Sequence, residues 1–75
     1  MTRIELTGWR HGANKVGADK LLAYDAGLGL STGKKVVDGV MAGRATAFEV
    51  ADAQHAERIV SQLNEMGFDA RMTRE

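Results

Sequence analysis

Residues 12–38, GANKVGADKLLAYDAGLGLSTGKKVVD, predict two short helices joined by a glycine corner. Asn14 suits an N-cap, because its side-chain oxygen can accept a hydrogen bond from a free amide of the first helical turn. Gly27 can end this helix, since glycine adopts a positive φ without a steric penalty. The sequence therefore predicts a compact helical pair ahead of the middle of the chain.

The second helix of the pair is expected to begin at Ser31 or Thr32, either of which can act as an N-cap. It is expected to end near Asp38. Residues 39–44, GVMAGR, then suggest a loop, because two glycines bracket a short apolar anchor.

Alternation of polar and apolar residues predicts strands at three places. Gly8 weakens the end of the first strand and suggests a bulge or the close approach of a helix there. Trp9 is expected to cover the rim of the core, with a role as a binding anchor as the alternative. Phe48 is the expected core residue of the second strand. The predicted strands are residues 3–9, 45–50 and 68–73, after which residues 74–75 are expected to fray.

The clearest helix of the chain lies between the second and third strands. Asp52 is a suitable N-cap for it, and Gly67 a suitable residue to end it. Its apolar stripe follows helical spacing and consists of Ala56, Ile59, Val60, Leu63 and Met66.

The predicted order of elements is β-α-α-β-α-β. Three strands can form one antiparallel or mixed sheet, and three helices can cover one of its faces. A chain of 75 residues corresponds to one domain, residues 1–75. The predicted fold class is therefore α+β, a two-layer sandwich with a three-stranded sheet and three helices on one face.

Composition restricts the function classes. The chain has no cysteine, which excludes thiolate metal sites and thiol nucleophiles. No apolar run is long enough for a signal peptide or a membrane span, so a cytoplasmic protein without a membrane partner is expected. Residues 1–44 carry seven basic and four acidic side chains, a net charge of +3, and residues 45–75 carry −3. This modest bias argues against direct nucleic-acid binding and favours a small cationic patch for an acidic protein surface.

Motifs for catalysis and cofactors do not fit the sequence. A phosphate-binding loop needs four residues between its first glycine and the Gly-Lys pair; Gly29 leaves three before Gly33, and Gly27 leaves five. The dinucleotide-binding pattern has Thr32 where its third glycine should stand. His11 and His55 are the only histidines, and their spacing does not suggest a metal site. We therefore expect no enzymatic activity, no cofactor and no metal.

A resemblance gives the sequence a more specific interpretation. The motifs GANKV at 12–16 and GLGL at 27–30, followed by Lys34 and the Val37-Asp38 pair, resemble the C-terminal domain of the bacterial large-subunit ribosomal stalk protein, the L-seven/L-twelve family. The similarity covers nearly the whole chain, and that domain has the same β-α-α-β-α-β order. In that family the two-helix face recruits translational GTPases. The matching positions, called here the two-helix face, are Lys15, Val16, Lys20, Gly29, Leu30 and Lys34.

Three positions depart from the family pattern. Where the family shows an exposed isoleucine, this chain has Asp19. Where the family shows an arginine and a lysine, it has Ala23 and Ser31. The chain also shows neither the N-terminal anchoring segment nor the alanine-rich hinge of a stalk protein, and its starting methionine suggests a free-standing copy. The resemblance thus implies a non-enzymatic interaction module for a translational GTPase or another acidic protein surface. The alternative is an adaptor of the same fold that binds a different protein or peptide away from the ribosome.

Overall fold

The computed structural model describes residues 1–74 of the chain, with side chains up to residue 73. Within those residues the elements follow the predicted β-α-α-β-α-β order, and the first helix continues into a short π-helical segment. The elements are β1 (Thr2–Trp9), α1 (Lys15–Lys20), the π segment (Leu21–Asp25), α2 (Leu30–Met41), β2 (Thr46–Val50), α3 (Ala53–Glu65) and β3 (Phe68–Arg74).

The sheet is built around β1. Its strand order is β2-β1-β3, and both pairings are antiparallel. Ile4 lies opposite Phe48 on one side and Met72 on the other, and Ile4 and Leu6 are both 0% exposed. The predicted α+β class is confirmed, and the sheet is antiparallel rather than mixed.

The two faces of the sheet differ in chemistry. The inner face and the helices form one apolar core, whose largest fully buried side chains are Phe68, Ile4, Leu6, Leu22, Ile59, Leu63, Val37 and Val40. On the outer face, the Glu5 carboxylate accepts hydrogen bonds from Arg71 Nε at 2.8 Å and from Arg3 Nε at 3.4 Å. The hydrogen bond from Arg71 is the main cause that lowers the pKa of Glu5. The sheet is thus covered by helices on one side only, as the sequence predicted.

The expected irregularity at Gly8 is confirmed. The register between β1 and β3 shifts between Leu6 and Gly8. A Cβ at Gly8 would lie 3.2 Å from Asp69 Oδ2, so the close approach comes from β3 and not from a helix. Trp9 follows the shift, lies opposite Phe68 and is 43% exposed.

The predicted limits of α2 are wrong at both ends. Gly29 is the N-cap, with φ 82°, and the helix runs on to Met41 through part of the stretch predicted as a loop. Gly39 lies inside the helix, where a Cβ would meet Thr46 Cγ2 of β2 at 2.9 Å. Val40 beside it is 1% exposed. Gly39 therefore allows the helix to pack closely on the sheet and does not break it.

The predictions for α3 and β3 are confirmed. Asp52 Oδ1 accepts a hydrogen bond from the Gln54 amide at 3.0 Å, and Gly67 follows the helix with φ 97°. Arg74 continues β3, whereas the expected fraying of residue 75 lies outside the described residues. Over residues 1–74, the helices lack the combination of length and apolar character needed to cross a membrane.

Candidate protein-interaction site

The start of α1 is fixed by a cap and by the end of α3. Asn14 Oδ1 accepts a hydrogen bond from the Gly17 amide at 3.0 Å, as predicted for an N-cap. The Asn14 amide itself donates to the Met66 carbonyl at 2.8 Å. These two bonds place Lys15 and Val16 at the first turn of α1 with a defined orientation.

The π segment turns one aromatic residue outward. The Ala26 amide donates to the Leu21 carbonyl at 3.0 Å, a bond across five residues instead of four. Leu21 and Leu22 point into the core, whereas Tyr24 is 70% exposed. Wide helical turns of this kind are often found at functional sites.

Gly33 brings α2 into contact with the backbone of the first helix. A Cβ at this position would lie 3.1 Å from the Ala23 amide nitrogen and 3.2 Å from the Asp19 carbonyl oxygen. A larger residue would push the two helices apart, so the absence of a side chain sets their separation. Leu30 lies one turn before Gly33, and Lys34 lies one residue after it. Both are therefore held beside α1.

The two helices form a surface depression of about 410 Å³. Its centre combines apolar side chains that are well exposed: Val16 at 62%, Tyr24 at 70% and Leu30 at 46%. Lys20 and Lys34, both exposed, form no ion pair with any residue that the structure describes. The lining consists of Lys15, Val16, Asp19, Lys20, Tyr24, Leu30 and Lys34.

Five of the six residues predicted for the two-helix face thus meet at one depression. The sixth, Gly29, does not line it. Its φ of 82° lies in the region that favours glycine, and it serves as the N-cap from which Leu30 starts α2. Its contribution to the site is the direction in which α2 leaves the corner.

Lys15 is not a free cation. Its Nζ lies 3.0 Å from Asp19 Oδ2 and 3.0 Å from Asp38 Oδ1. The hydrogen bond to Asp19, followed by the one to Asp38, raises the pKa of Lys15 above its ordinary value of 10.5. With three lysines and these two aspartates, the region has a net charge of +1, where the lysines alone would give +3.

Asp19 occupies the position at which the stalk family shows an exposed isoleucine. Here the residue is 5% exposed, and Oδ2 is paired with Lys15. Oδ1 has less than 1 Å² of accessible surface and no hydrogen-bond partner among the described residues. The carboxylate is therefore half satisfied, at the edge of an apolar contact area.

The other two departures from the family pattern, Ala23 and Ser31, do not line the depression. Ala23 is 5% exposed and belongs to the core, so its position offers little surface to a partner. Ser31 is exposed in the first turn of α2 and does not line the depression. Of the three departures, only Asp19 changes the chemistry of the depression itself.

Sequence reasoning missed Tyr24 and Asp38 as members of this region. Tyr24 follows Lys20 by four residues and Val16 by eight, a helical spacing that could have identified it. Asp38 reaches Lys15 only because α1 and α2 pack side by side, and no local pattern reports that contact.

A second depression, of about 440 Å³, lies between the π segment and α3. Its lining is mostly polar and includes Asp25, His55, Arg58 and Gln62. In the part of the chain that the structure describes, no group of three or more His, Asp or Glu side chains is arranged to hold a metal ion. Exposed apolar side chains are concentrated at the first depression instead.

A scan against protein-family profiles, a search of curated proteins and a search of solved structures each find no match to this chain. The resemblance to the ribosomal stalk domain therefore rests on the motifs of residues 12–38 and stays a prediction.

Proposed function

We propose that this chain is a non-enzymatic interaction module that binds a translational GTPase in the cytoplasm through the two-helix face. The observation that carries the proposal is the convergence of Lys15, Val16, Lys20, Leu30 and Lys34 on one depression. These residues come from two helices and are five of the six positions that the resemblance to the stalk domain implies for partner binding. The proposal involves no cofactor, metal, membrane or nucleic acid.

The chemistry of the depression suits a protein partner. Val16, Tyr24 and Leu30 offer apolar surface of the kind that forms the centre of interfaces. Lys20 and Lys34 flank it and can pair with carboxylates of an acidic surface, which favours encounter and orientation. An apolar centre with a polar border is the usual arrangement of a protein interface.

Lys15 supports a second candidate function. Because Asp19, which stands in place of an isoleucine of the family pattern, pairs with the ammonium group of Lys15, the region presents less positive charge than that pattern implies. This favours an adaptor of the same fold whose partner is a different protein segment, bound away from the ribosome. Both candidates use the same depression and differ in the partner.

Charge reversal tests the proposal. The affinity of a purified translational elongation GTPase for the wild-type chain would be measured by calorimetry and compared with that for K20E, K34E and K35E. We expect K20E and K34E each to weaken binding by at least about tenfold, because like charges across an interface cost several kcal/mol. K35E is the matched control, since Lys35 is exposed on α2 but does not line the depression.

The outcomes separate the candidates. Equal weakening by all three reversals would show that only overall charge matters, which would contradict a site at the two-helix face. A folded wild-type chain that does not bind the GTPase would leave the adaptor as the surviving candidate.

A further inference from the structure

The half-satisfied carboxylate of Asp19 is the starting point. Its side chain is 7% exposed, Oδ2 is bound to Lys15 at 3.0 Å, and Oδ1 has no partner among the described residues. A buried acceptor without a hydrogen bond is costly, and native proteins rarely leave one unsatisfied. Asp19 also lines the depression, so a bound partner is placed to supply the missing donor.

The charges around Asp19 determine which donor fits. Lys15, which also pairs with Asp38, gives the carboxylate a countercharge, and Lys20 and Lys34 border the depression. A cationic donor such as arginine would have to approach past two lysines, which repel it. A hydroxyl or side-chain amide can donate to Oδ1 without that repulsion, while carboxylates beside it pair with Lys20 and Lys34.

We propose that the depression binds an acidic segment of a partner protein that inserts one apolar side chain against Val16, Tyr24 and Leu30 and donates one uncharged hydrogen bond to Asp19 Oδ1. The inference rests on the proposed function only in that the same depression is the binding site. It does not require the partner to be a GTPase. Because Oδ1 has less than 1 Å² of accessible surface, the bond requires side chains around Asp19 to move when the partner binds.

The probes are synthetic 12-residue peptides with capped ends, identical glutamates and one leucine. Four of the peptides carry a single threonine each, placed at one of four consecutive positions. Each threonine peptide is matched by one peptide with valine and one with arginine at the same position. Threonine and valine have nearly the same shape, so the pair isolates the hydroxyl. Binding is followed by NMR titration of the ¹⁵N-labelled wild-type chain and of D19L, which removes the acceptor.

We expect one threonine peptide to shift the amide resonances of Val16, Asp19 and Leu30 and to bind the wild-type chain about tenfold tighter than its valine match, the usual effect of a hydrogen bond to a charged group. In D19L the preference for the threonine peptide over its valine match should disappear or reverse. The arginine match should bind the wild-type chain more weakly than the threonine peptide.

Three results would overturn the inference: no peptide binds, threonine and valine peptides bind the wild-type chain equally, or arginine binds tightest. A threonine preference that persists in D19L would also overturn it. If D19L does not fold, the wild-type comparison decides alone. A threonine preference together with no binding of the elongation GTPase would refute the GTPase as partner and leave this inference standing.

Discussion

At the scale of single residues, Lys15 has the least obvious role in the two-helix face. The resemblance to the stalk domain implies a partner-contacting lysine here, yet its ammonium group lies 3.0 Å from both Asp19 and Asp38. The pair with Asp19 joins two residues of the first helix, whereas the pair with Asp38 joins that helix to α2. Lys15 therefore links the two helices and keeps the Asp19 carboxylate from being buried without a countercharge.

The substitution K15M should lower the stability of the fold. It keeps the aliphatic stem but removes the charge, which leaves Asp19 buried without its ion pair. The denaturant midpoint should fall clearly below that of K35M, the matched change at an exposed lysine of α2 that forms no ion pair with described residues. Equal midpoints for K15M and K35M, measured by circular dichroism, would show that Lys15 does not link the helices.

The dependence on pH follows from the raised pKa of Lys15. A group whose pKa is higher in the folded state stabilises that state fully at pH values below its ordinary value, here 10.5, and the contribution is lost as the pH rises through the raised value. The difference in unfolding free energy between wild type and K15M should thus be constant from neutral pH to about pH 10 and shrink above it. Denaturation at a series of alkaline pH values measures this, and a difference that grows would contradict the ion pairs.

Part of this residue chemistry could be predicted from the sequence. The spacing of Lys15 and Asp19 is that of a helical ion pair, and Asn14 and Asp52 were recognisable as caps because capping is local. The contact from Asp38 could not be predicted, since it depends on how α1 and α2 pack. The burial of Asp19 could not be predicted either, since it depends on the same packing.

At the scale of elements, glycines decide how closely the helices pack. The predicted ends of α2 are wrong because Ser31 or Thr32 was the expected N-cap and Gly39 was expected to open a loop. Gly29 is the N-cap, and Gly39 is a helical residue that lets β2 approach. Sequence patterns identify where a glycine stands, but whether it bends the chain or admits a neighbour is a property of the tertiary structure. The strands and α3 could be predicted because their periodicity is long and regular and can be read from the sequence itself.

The substitution G33A tests the packing that forms the depression. Alanine is the better helix former by about 1 kcal/mol, but its Cβ would lie 3.1 Å and 3.2 Å from backbone atoms of Ala23 and Asp19. Overpacking costs typically about 1–3 kcal/mol, so we expect a net loss of about 1 kcal/mol in unfolding free energy.

Urea denaturation measures the effect of G33A, with S31A as the control because Ser31 is exposed in the same helix. The control should stay within about 0.5 kcal/mol of wild type. An increase in stability for G33A would mean that helix propensity outweighs the contact and that α2 is free to shift away from the first helix.

At the scale of the whole molecule, the surfaces differ in how well they suit association with another protein. On β3, an edge strand, the Ala70 amide donates to Asn64 Oδ1 at 3.0 Å, and the Ala70 carbonyl accepts from Asn64 Nδ2 at 3.3 Å. This blocks pairing with another strand at that edge. The outer face of the sheet is polar and carries the Arg71–Glu5 pair. The two-helix side, in contrast, exposes Val16, Tyr24 and Leu30 together.

The overall charge favours recognition by a local patch. The chain has a formal net charge of 0, so long-range attraction of an acidic partner by the molecule as a whole is weak. At the depression, Lys20 and Lys34 can attract carboxylates at short range, where screening matters less than at a Debye length of about 8 Å. Binding is therefore expected at a small patch and not over a broad cationic surface.

The most direct test of the central claim is an NMR titration of the ¹⁵N-labelled chain with an unlabelled translational elongation GTPase, run in parallel with K20E. We expect shifts or broadening confined to amides around Val16, Lys20, Tyr24, Leu30 and Lys34, and clearly smaller changes for K20E at the same concentrations. Changes centred on the outer face of the sheet, or no changes at high micromolar GTPase, would contradict the assignment of the two-helix face to this partner.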